Sequence, residues 1–262
     1  MADLAVSIVT YNSEKVLPMI LKSLKETRKV SFSVTVVDNA SKDKSCSIVS
    51  AMMPNAEIIR LDRNIGYGRA NNIVIAKTTA KYQLVANPDV SFAPDLLERC
   101  IRFMEEHEDV VLLSPRVFYP DGPEQFLPKR KPSLAYLTGG VIEQVTGRDN
   151  ALRSAYTLRD EAVDTIKDID FATGCFMLMR TDSLKKLNGF DERFFLYFED
   201  ADLTLRMQKL GRTVYVPSLA IIHAWNRENM KKRGIKHELA SLLKFWVKWR
   251  SGREDSFNDR KQ

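Results

Sequence analysis

Two apolar patterns alternate along the first ninety positions: short unbroken runs, and runs with helical spacing. Leu4-Ala-Val-Ser-Ile-Val-Thr-Tyr11 has strand length and no polar face, as expected of a strand covered on both sides. Asn12-Ser13 then offers a cap, and Val16, Met19, Ile20 and Leu24 recur at helical spacing. The alternation continues with a strand over 32–37 ending on Asp38-Asn39, a helix over 41–53, a strand over 56–61, a helix over 67–78 and a strand running from Tyr82 to Asp89. Three β-α units before a fourth strand imply right-handed crossovers and an α/β fold with a mostly parallel, Rossmann-like central sheet flanked by helices. Each strand would deliver polar residues to one edge: Thr10-Tyr11-Asn12, Asp38-Asn39, Arg63-Asn64 and Asn87-Pro88-Asp89. Ligands bind at such carboxyl edges. An Asx turn closed by Asn-Pro-Asp is the structural alternative for the last of these.

Beyond position 120 the pattern breaks. Pro120-Asp-Gly-Pro123 is a turn, Lys129-Arg-Lys131 is basic, and 136–145 is apolar without a clear period, which predicts an irregular acceptor-side insert; 152–167 is too polar to place. Order returns with Cys175-Phe-Met-Leu-Met179 as a core strand. Phe194-Phe-Leu-Tyr-Phe198 then leads into Glu199-Asp200-Ala-Asp202, which opens a helix through Leu203, Leu205, Arg206 and Leu210 to Gly211. Acids in a first helical turn are favoured by the helix dipole whatever their function. Near the C-terminus, Leu239, Leu242, Leu243 and Trp246 share one helical face, with Lys244 and Lys248 nearly opposite. That face fits an anionic membrane surface, the sheet or a second subunit in a homodimer. The polar residues 251–262 read as a frayed end.

Composition narrows the classes. With 262 residues and 44% hydrophobic content the chain is globular with a substantial core. Cys46, Cys100 and Cys175 are scattered, odd in number and without CxxC spacing, which argues against a disulfide framework or zinc cluster and for a reducing compartment. Met1-Ala-Asp3 runs straight into the first strand without a leader pattern, and no run reaches the length of a bilayer span. A cytoplasmic protein, at most peripheral at the inner face of the cell membrane, is the expectation. The net charge of +6 points to anionic partners.

Side-chain chemistry at the expected edge suits a nucleotide. Asp38 can accept the imide N–H of uracil or thymine, which cytosine lacks, and Thr10 and Tyr11 can line the ring. Asn64-Ile-Gly66-Tyr-Gly68-Arg69-Ala-Asn71-Asn72 supplies a flexible turn, a guanidinium and amide donors for phosphate and sugar hydroxyls. The third glycine of a dinucleotide fingerprint is missing, and the turn follows the third strand instead of the first.

Taken together, Ser7-Ile-Val-Thr-Tyr-Asn12, Val37-Asp-Asn-Ala-Ser41, Asn64-x-Gly-Tyr-Gly-x-Ala-Asn-Asn72, Asn87-Pro-Asp89, Ala172-Thr-Gly-Cys-Phe-Met-Leu-Met-Arg180, Gly189-Phe-Asp-Glu-Arg-Phe-Phe-Leu-Tyr-Phe-Glu-Asp200 and Ile222-His223 resemble the successive motifs of family-2 glycosyltransferases with the GT-A fold. Within that family the chain looks most like bacterial rhamnosyltransferases of surface-polysaccharide assembly, of O-antigen and cell wall. The resemblance implies a dTDP-L-rhamnose donor, with a UDP-sugar as the alternative, and a lipid-linked saccharide acceptor. It implies a Mg2+ or Mn2+ ion on Asp89 and His223, with Asn87 standing where the family's first metal-motif aspartate usually stands. It makes Asp200 the catalytic base, with Glu199 orienting acceptor or base, and inversion at the anomeric carbon. The donor-binding set is then Thr10, Tyr11, Asn12, Asp38, Asn64, Gly66, Arg69, Asn72 and Asn87. Residues 1–235 are expected to form the transferase domain, 1–119 its nucleotide-sugar half and 120–235 its acceptor half, with 236–262 as C-terminal helix and tail.

Two other classes remain open. A sugar nucleotidyltransferase would share the α/β half but carry a basic, glycine-rich loop after its first strand, where this chain has Thr10-Tyr-Asn-Ser-Glu14. A nucleic-acid-binding or scaffold protein would explain the charge but not Asp38, Asp89 and Glu199-Asp200 on one edge, since carboxylates repel phosphate chains.

Overall fold

The computed structural model describes residues 3–161, 164–224 and 232–250; the tail 251–262, expected to be frayed, lies outside them. The first half follows the alternation read from the sequence: β1 (Leu4–Thr10), α1 (Leu17–Glu26), β2 (Phe32–Asp38), α2 (Ser45–Met52), β3 (Glu57–Arg60), α3 (Tyr67–Lys77) and β4 (Tyr82–Ala86). Every residue of β1 is buried, because helices cover both faces of a parallel sheet. In α1, Leu17, Ile20, Leu21 and Leu24 form the buried stripe. Helix α1 starts later than its predicted cap: Ser13 closes a turn by accepting from the Val16 and Leu17 amides (3.0 and 2.9 Å), and Pro18 sits in the first helical turn, where its missing N–H is harmless.

The remaining elements are β5 (Val90–Phe92), α4 (Leu96–Glu106), β6 (Val110–Phe118), α5 (Leu134–Thr146), α6 (Ala151–Tyr156), β7 (Lys167–Asp168), β8 (Phe176–Arg180), α7 (Thr181–Lys186), α8 (Glu199–Met207), β9 (Arg212–His223) and α9 (Lys232–Arg250). The nine-stranded sheet has the order β3-β2-β1-β4-β8-β6-β9-β5, with β7 against β9. β8 runs antiparallel to β4 and β6, while β1 to β4 are mutually parallel and β6 and β9 form a parallel pair. The expected irregular insert is helical over α5 and α6, each capped by a side chain at its start, Ser133 and Asn150.

Helix α9 corrects the face read from the sequence. Ser241 and Phe245 are buried and Leu242 and Trp249 pack with them, whereas Leu239, Leu243, Trp246 and Val247 are exposed. The reason is electrostatic. Lys248 reaches inward to Asp191 (2.8 Å) and Asp202 (2.6 Å), and the Trp249 indole N–H donates to Asp202 (3.0 Å), so the helix is rotated to bring these groups onto two buried carboxylates. Among the described residues no helix is long and apolar enough to cross a membrane.

Candidate active site

The strand order reverses between β1 and β4, and the loops at their carboxyl ends open on one edge. Thr10 ends β1 in register with Asp38 at the end of β2. Both are buried, and the Thr10 hydroxyl has no hydrogen-bond partner among the described residues. Asp38 Oδ1 accepts from the Ser41 amide at 3.1 Å. Tyr11 stands 52% exposed at the rim. Asn12, in the left-handed region at φ 53°, donates its backbone N–H to Ser41 Oγ (2.9 Å) and accepts at its side-chain oxygen from the Lys42 amide (2.8 Å). With Ser13 N–H to Ser45 Oγ (3.0 Å) and Glu14 N–H to Asp43 Oδ2 (2.9 Å), these bonds fasten two loops into a fixed floor.

The glycine turn is the second wall. Gly66 has φ 94°, and a Cβ there would collide with the Phe195 carbonyl, so the backbone approach requires glycine. Asn64 Oδ1 accepts from the Gly66 amide at 2.9 Å. Asn39, placed on this edge by the sequence without a role of its own, accepts from Ile65 N–H (2.8 Å) and donates to the Gly66 carbonyl (3.2 Å). Expected phosphate ligands Arg69 and Asn72 are engaged otherwise. Arg69 Nε donates to the Glu192 carbonyl (2.9 Å), and the Asn72 amide donates to and accepts from the Phe190 backbone (2.9 and 2.8 Å). Both side chains hold the 189–195 loop.

Asn87 and Asp89 lie in the turn between β4 and β5, and Val90 of β5 is paired with His223 of β9. This ladder joins residues more than 130 positions apart and brings Asp89 Oδ1 within 3.3 Å of His223 Nε2. Gln125, unremarked in the sequence, sets the ring. Its amide nitrogen donates to the His223 carbonyl (2.5 Å) and the Phe118 carbonyl (3.3 Å), leaving its oxygen 3.0 Å from Nδ1. An amide oxygen only accepts, so Nδ1 carries the proton and the Nε2 lone pair faces Asp89. A lone pair and a carboxylate at that distance repel unless a proton or cation lies between them. The pair therefore fits a divalent cation, with Gln125 in the outer position that fixes a ligating histidine. Among the described residues no group of three His, Cys, Asp or Glu forms a protein-only metal site.

Asp200 and Glu199 stand in the first turn of α8. Asp200 Oδ2 accepts from the Gly174 amide (2.9 Å) and Oδ1 from the Ala201 amide (2.9 Å). Burial raises the Asp200 carboxyl above its ordinary range, opposed by the Gly174 N–H and then by Lys129. Glu199, 4% exposed, has one carboxyl oxygen without a hydrogen-bond partner among the described residues. Its carboxyl is pushed up to about 8, first by burial and then by Asp200. The two titrate as a pair. Immediately before them Tyr197 and Phe198 both adopt left-handed backbone, φ 69° and 65°, a conformation costly for aromatic residues and concentrated at functional sites. Tyr67 links this acid pair to the glycine turn: its amide donates to the Phe195 carbonyl (3.0 Å) and its hydroxyl to the Gly174 carbonyl (2.7 Å).

Residues 174 and 175 join the halves. Cys175 O accepts from the Asn87 amide (3.0 Å) while the adjacent Gly174 N–H holds Asp200. Burial and then the charges of Asp89 and Asp200 push the Cys175 thiol up. Through Asn87 and Asp200, the two sides of the site are thus bonded to one backbone segment. Two surface concavities, one lined by Glu108, Asp109 and Arg212 and the other by Ala5, Ser33 and Thr78, lie at the opposite, amino edge of the sheet.

Known proteins are similar to this chain in sequence and fold. The model of glycosyl transferase family 2 matches residues 5–187. The N-acetylglucosaminyl-diphospho-decaprenol L-rhamnosyltransferase of Mycobacterium tuberculosis is 30% identical over 236 residues, 84% of this chain and 75% of that protein. The rhamnosyltransferase WbbL of Escherichia coli is 26% identical over 195 residues, 71% of each chain. Among solved structures, the mannosyltransferase PcManGT from Pyrobaculum calidifontis, in complex with GDP-Man and Mn2+, superposes with TM-score 0.65 at 16% identity, covering 95% of this chain and 64% of its own. S. aureus TarS 1–349 gives 0.59 at 19%, covering 99% and 75%. The chain belongs to glycosyl transferase family 2 and is a glycosyltransferase with the GT-A fold.

Proposed function

We propose that this enzyme transfers L-rhamnose from dTDP-L-rhamnose to a hydroxyl of a lipid-linked saccharide, inverting the anomeric centre. The observation that carries the reading is that one backbone segment bonds both sides of the site, the Gly174 amide holding Asp200 and the Cys175 carbonyl taking the Asn87 amide two residues before Asp89, which faces His223. The sugar is the one in the names of both rhamnosyltransferase relatives, and the lipid-linked acceptor is the class in the name of the Mycobacterium tuberculosis protein. A UDP-sugar donor is the second reading, supported by TarS structures with UDP and UDP-GlcNAc.

Asp38 and the buried Thr10 hydroxyl receive the pyrimidine on the fixed floor, and the Gly66 turn approaches the donor by its backbone. Asp200 accepts the proton of the acceptor hydroxyl as that oxygen bonds to the anomeric carbon. The bond to the nucleoside diphosphate breaks on the opposite face, which inverts the centre. Glu199 orients acceptor and base. When bound, Mg2+ or Mn2+ on Asp89 and His223 supplies positive charge for the departing diphosphate, which itself needs no acid.

The exposed face of α9 fits a bilayer with anionic headgroups at the inner face of the cell membrane, where such an acceptor resides. Leu239, Leu243 and Val247 offer apolar surface, and Trp246 carries the Arg250 guanidinium 4.4 Å from its ring, an amphipathic pair suited to the headgroup level.

Asp200→Asn tests the proposal. Transfer should fall roughly a hundredfold or more, the scale of general-base catalysis, while the thermal shift given by dTDP with Mn2+ persists. Equal turnover in the variant would place the base elsewhere.

A further inference from the structure

Lys129 lies in the acceptor half on a segment locked to the catalytic loop. Its backbone exchanges two hydrogen bonds with Phe171, N–H to the Phe171 carbonyl at 3.2 Å and the reverse at 3.1 Å, and Thr173 Oγ1 donates to the Leu127 carbonyl (3.2 Å). The next residue along, Gly174, holds Asp200. The Lys129 ammonium sits over the Phe171 ring at 4.4 Å and the Tyr156 ring at 5.8 Å.

Neighbouring cations are already paired: Arg130 with Asp160 and Glu161, Arg153 with Glu143, and Arg159 with Glu143 and Asp149. Lys129 has no ion-pair partner among the described residues, although it is placed on an aromatic floor beside the candidate base. Burial lowers its ammonium to about 8, opposed by Asp200; Arg153 lowers it further, and Cys175 and Glu238 raise it. A half-buried cation held over two rings gains more from an incoming anion than one in open water.

We infer that Lys129 is the subsite for the diphosphate of a lipid-linked acceptor, reading the group that joins the saccharide to its lipid. The inference rests on the proposed function, in which the acceptor's attacking hydroxyl meets Asp200 one sugar away from that diphosphate. It commits Lys129 to acceptor recognition, with no proton passed.

The test uses the full chain with its donor site filled by dTDP and Mn2+, and geranyl diphosphate as a soluble prenyl diphosphate, titrated by calorimetry. Lys129→Met should weaken geranyl diphosphate at least tenfold, and Lys129→Arg should keep it within about threefold. Lys129→Gln, which retains a polar stem over the rings, replaces the methionine variant if that melts early. Unchanged affinity in Lys129→Met or Lys129→Gln, or no binding by the parent enzyme, would overturn the inference. Binding of dTDP in the same samples separates the two readings: its absence sinks the proposed function, whereas its presence with an unaffected Lys129 variant sinks only the diphosphate subsite.

Discussion

The two halves of the site solve opposite problems. In the proposed donor half many polar side chains at the edge are spent on their own loops: Asn12 on Lys42, Ser41 on the Asn12 amide, Asn39 and Asn64 around Gly66, Asp43 on Glu14 and Ser45. In the acceptor half groups are held in costly states, with Glu199 buried, Lys129 unpaired among the described residues, and Tyr197 and Phe198 left-handed. A frame fixed in advance loses little entropy when the donor arrives. Under the proposed function, groups kept short of partners gain them from the bound substrates, and interaction energy gained toward the transition state accelerates a reaction.

The contrast can be broken most forcibly at the join. Gln125→Leu leaves the His223 ring without the amide that fixes its tautomer. We expect metal affinity, measured by titrating Mn2+ into the dTDP complex, to fall by about ten- to a hundredfold, the usual cost of losing an outer partner of a ligating histidine. An unchanged titration would show that the ring is oriented by other means.

A smaller effect is expected from Glu199→Gln. Asp200 must be ionised to accept a proton, and burial raises it, so activity should be lost as pH falls through a limb lying above the ordinary carboxylate range. Glu199, pushed up to about 8, is uncharged where Asp200 titrates, so the variant should leave that limb in place and remove only the second step near 8 in kcat/KM profiles; a displaced lower limb would contradict the pairing. The stability change has the opposite sense. A carboxyl raised to about 8 in the fold favours the native state below its unfolded value and is lost as pH rises toward 8, so the variant should remain stable further into alkali.

The smallest effect on the fold is expected on α9. Leu243→Asp with Val247→Asp should change stability by under about 0.5 kcal/mol, since both sites are exposed, yet abolish sedimentation with anionic vesicles. Vesicle binding equal to the parent would assign that face to another partner.

How legible these features were depended on the range of the interactions that create them. β1 to β4 and their helices could be read because each alternation is local, and β1 and β4 bury both faces. Asp38 and Asp89 were legible as acids following strands, and Asp200 as an acid opening a helix. Helix α5 was hidden by Gly139-Gly140 in its middle, which weakens helical propensity in an already aperiodic apolar run. Nothing near Gln125 marks it, because its partner is 98 residues away. The α9 stripe illustrates the same limit: periodicity correctly gave a helix, but the face turned inward was chosen by Asp191 and Asp202, whose burial no local pattern reveals. Arg69 and Asn72 looked like phosphate ligands because their types suit the task, whereas the fold uses them on the 189–195 loop.

In the proposed function Asp38, Asp89 and Asp200 surround one activated sugar. A crystal structure of the enzyme with dTDP-L-rhamnose and Mn2+, with the metal located by anomalous scattering, tests it directly. The account predicts the metal on Asp89 and His223, the thymine ring against Asp38, and the anomeric carbon exposed toward Asp200. Metal bound away from Asp89, or Asp200 on the far side of the sugar from any path of attack, would contradict it.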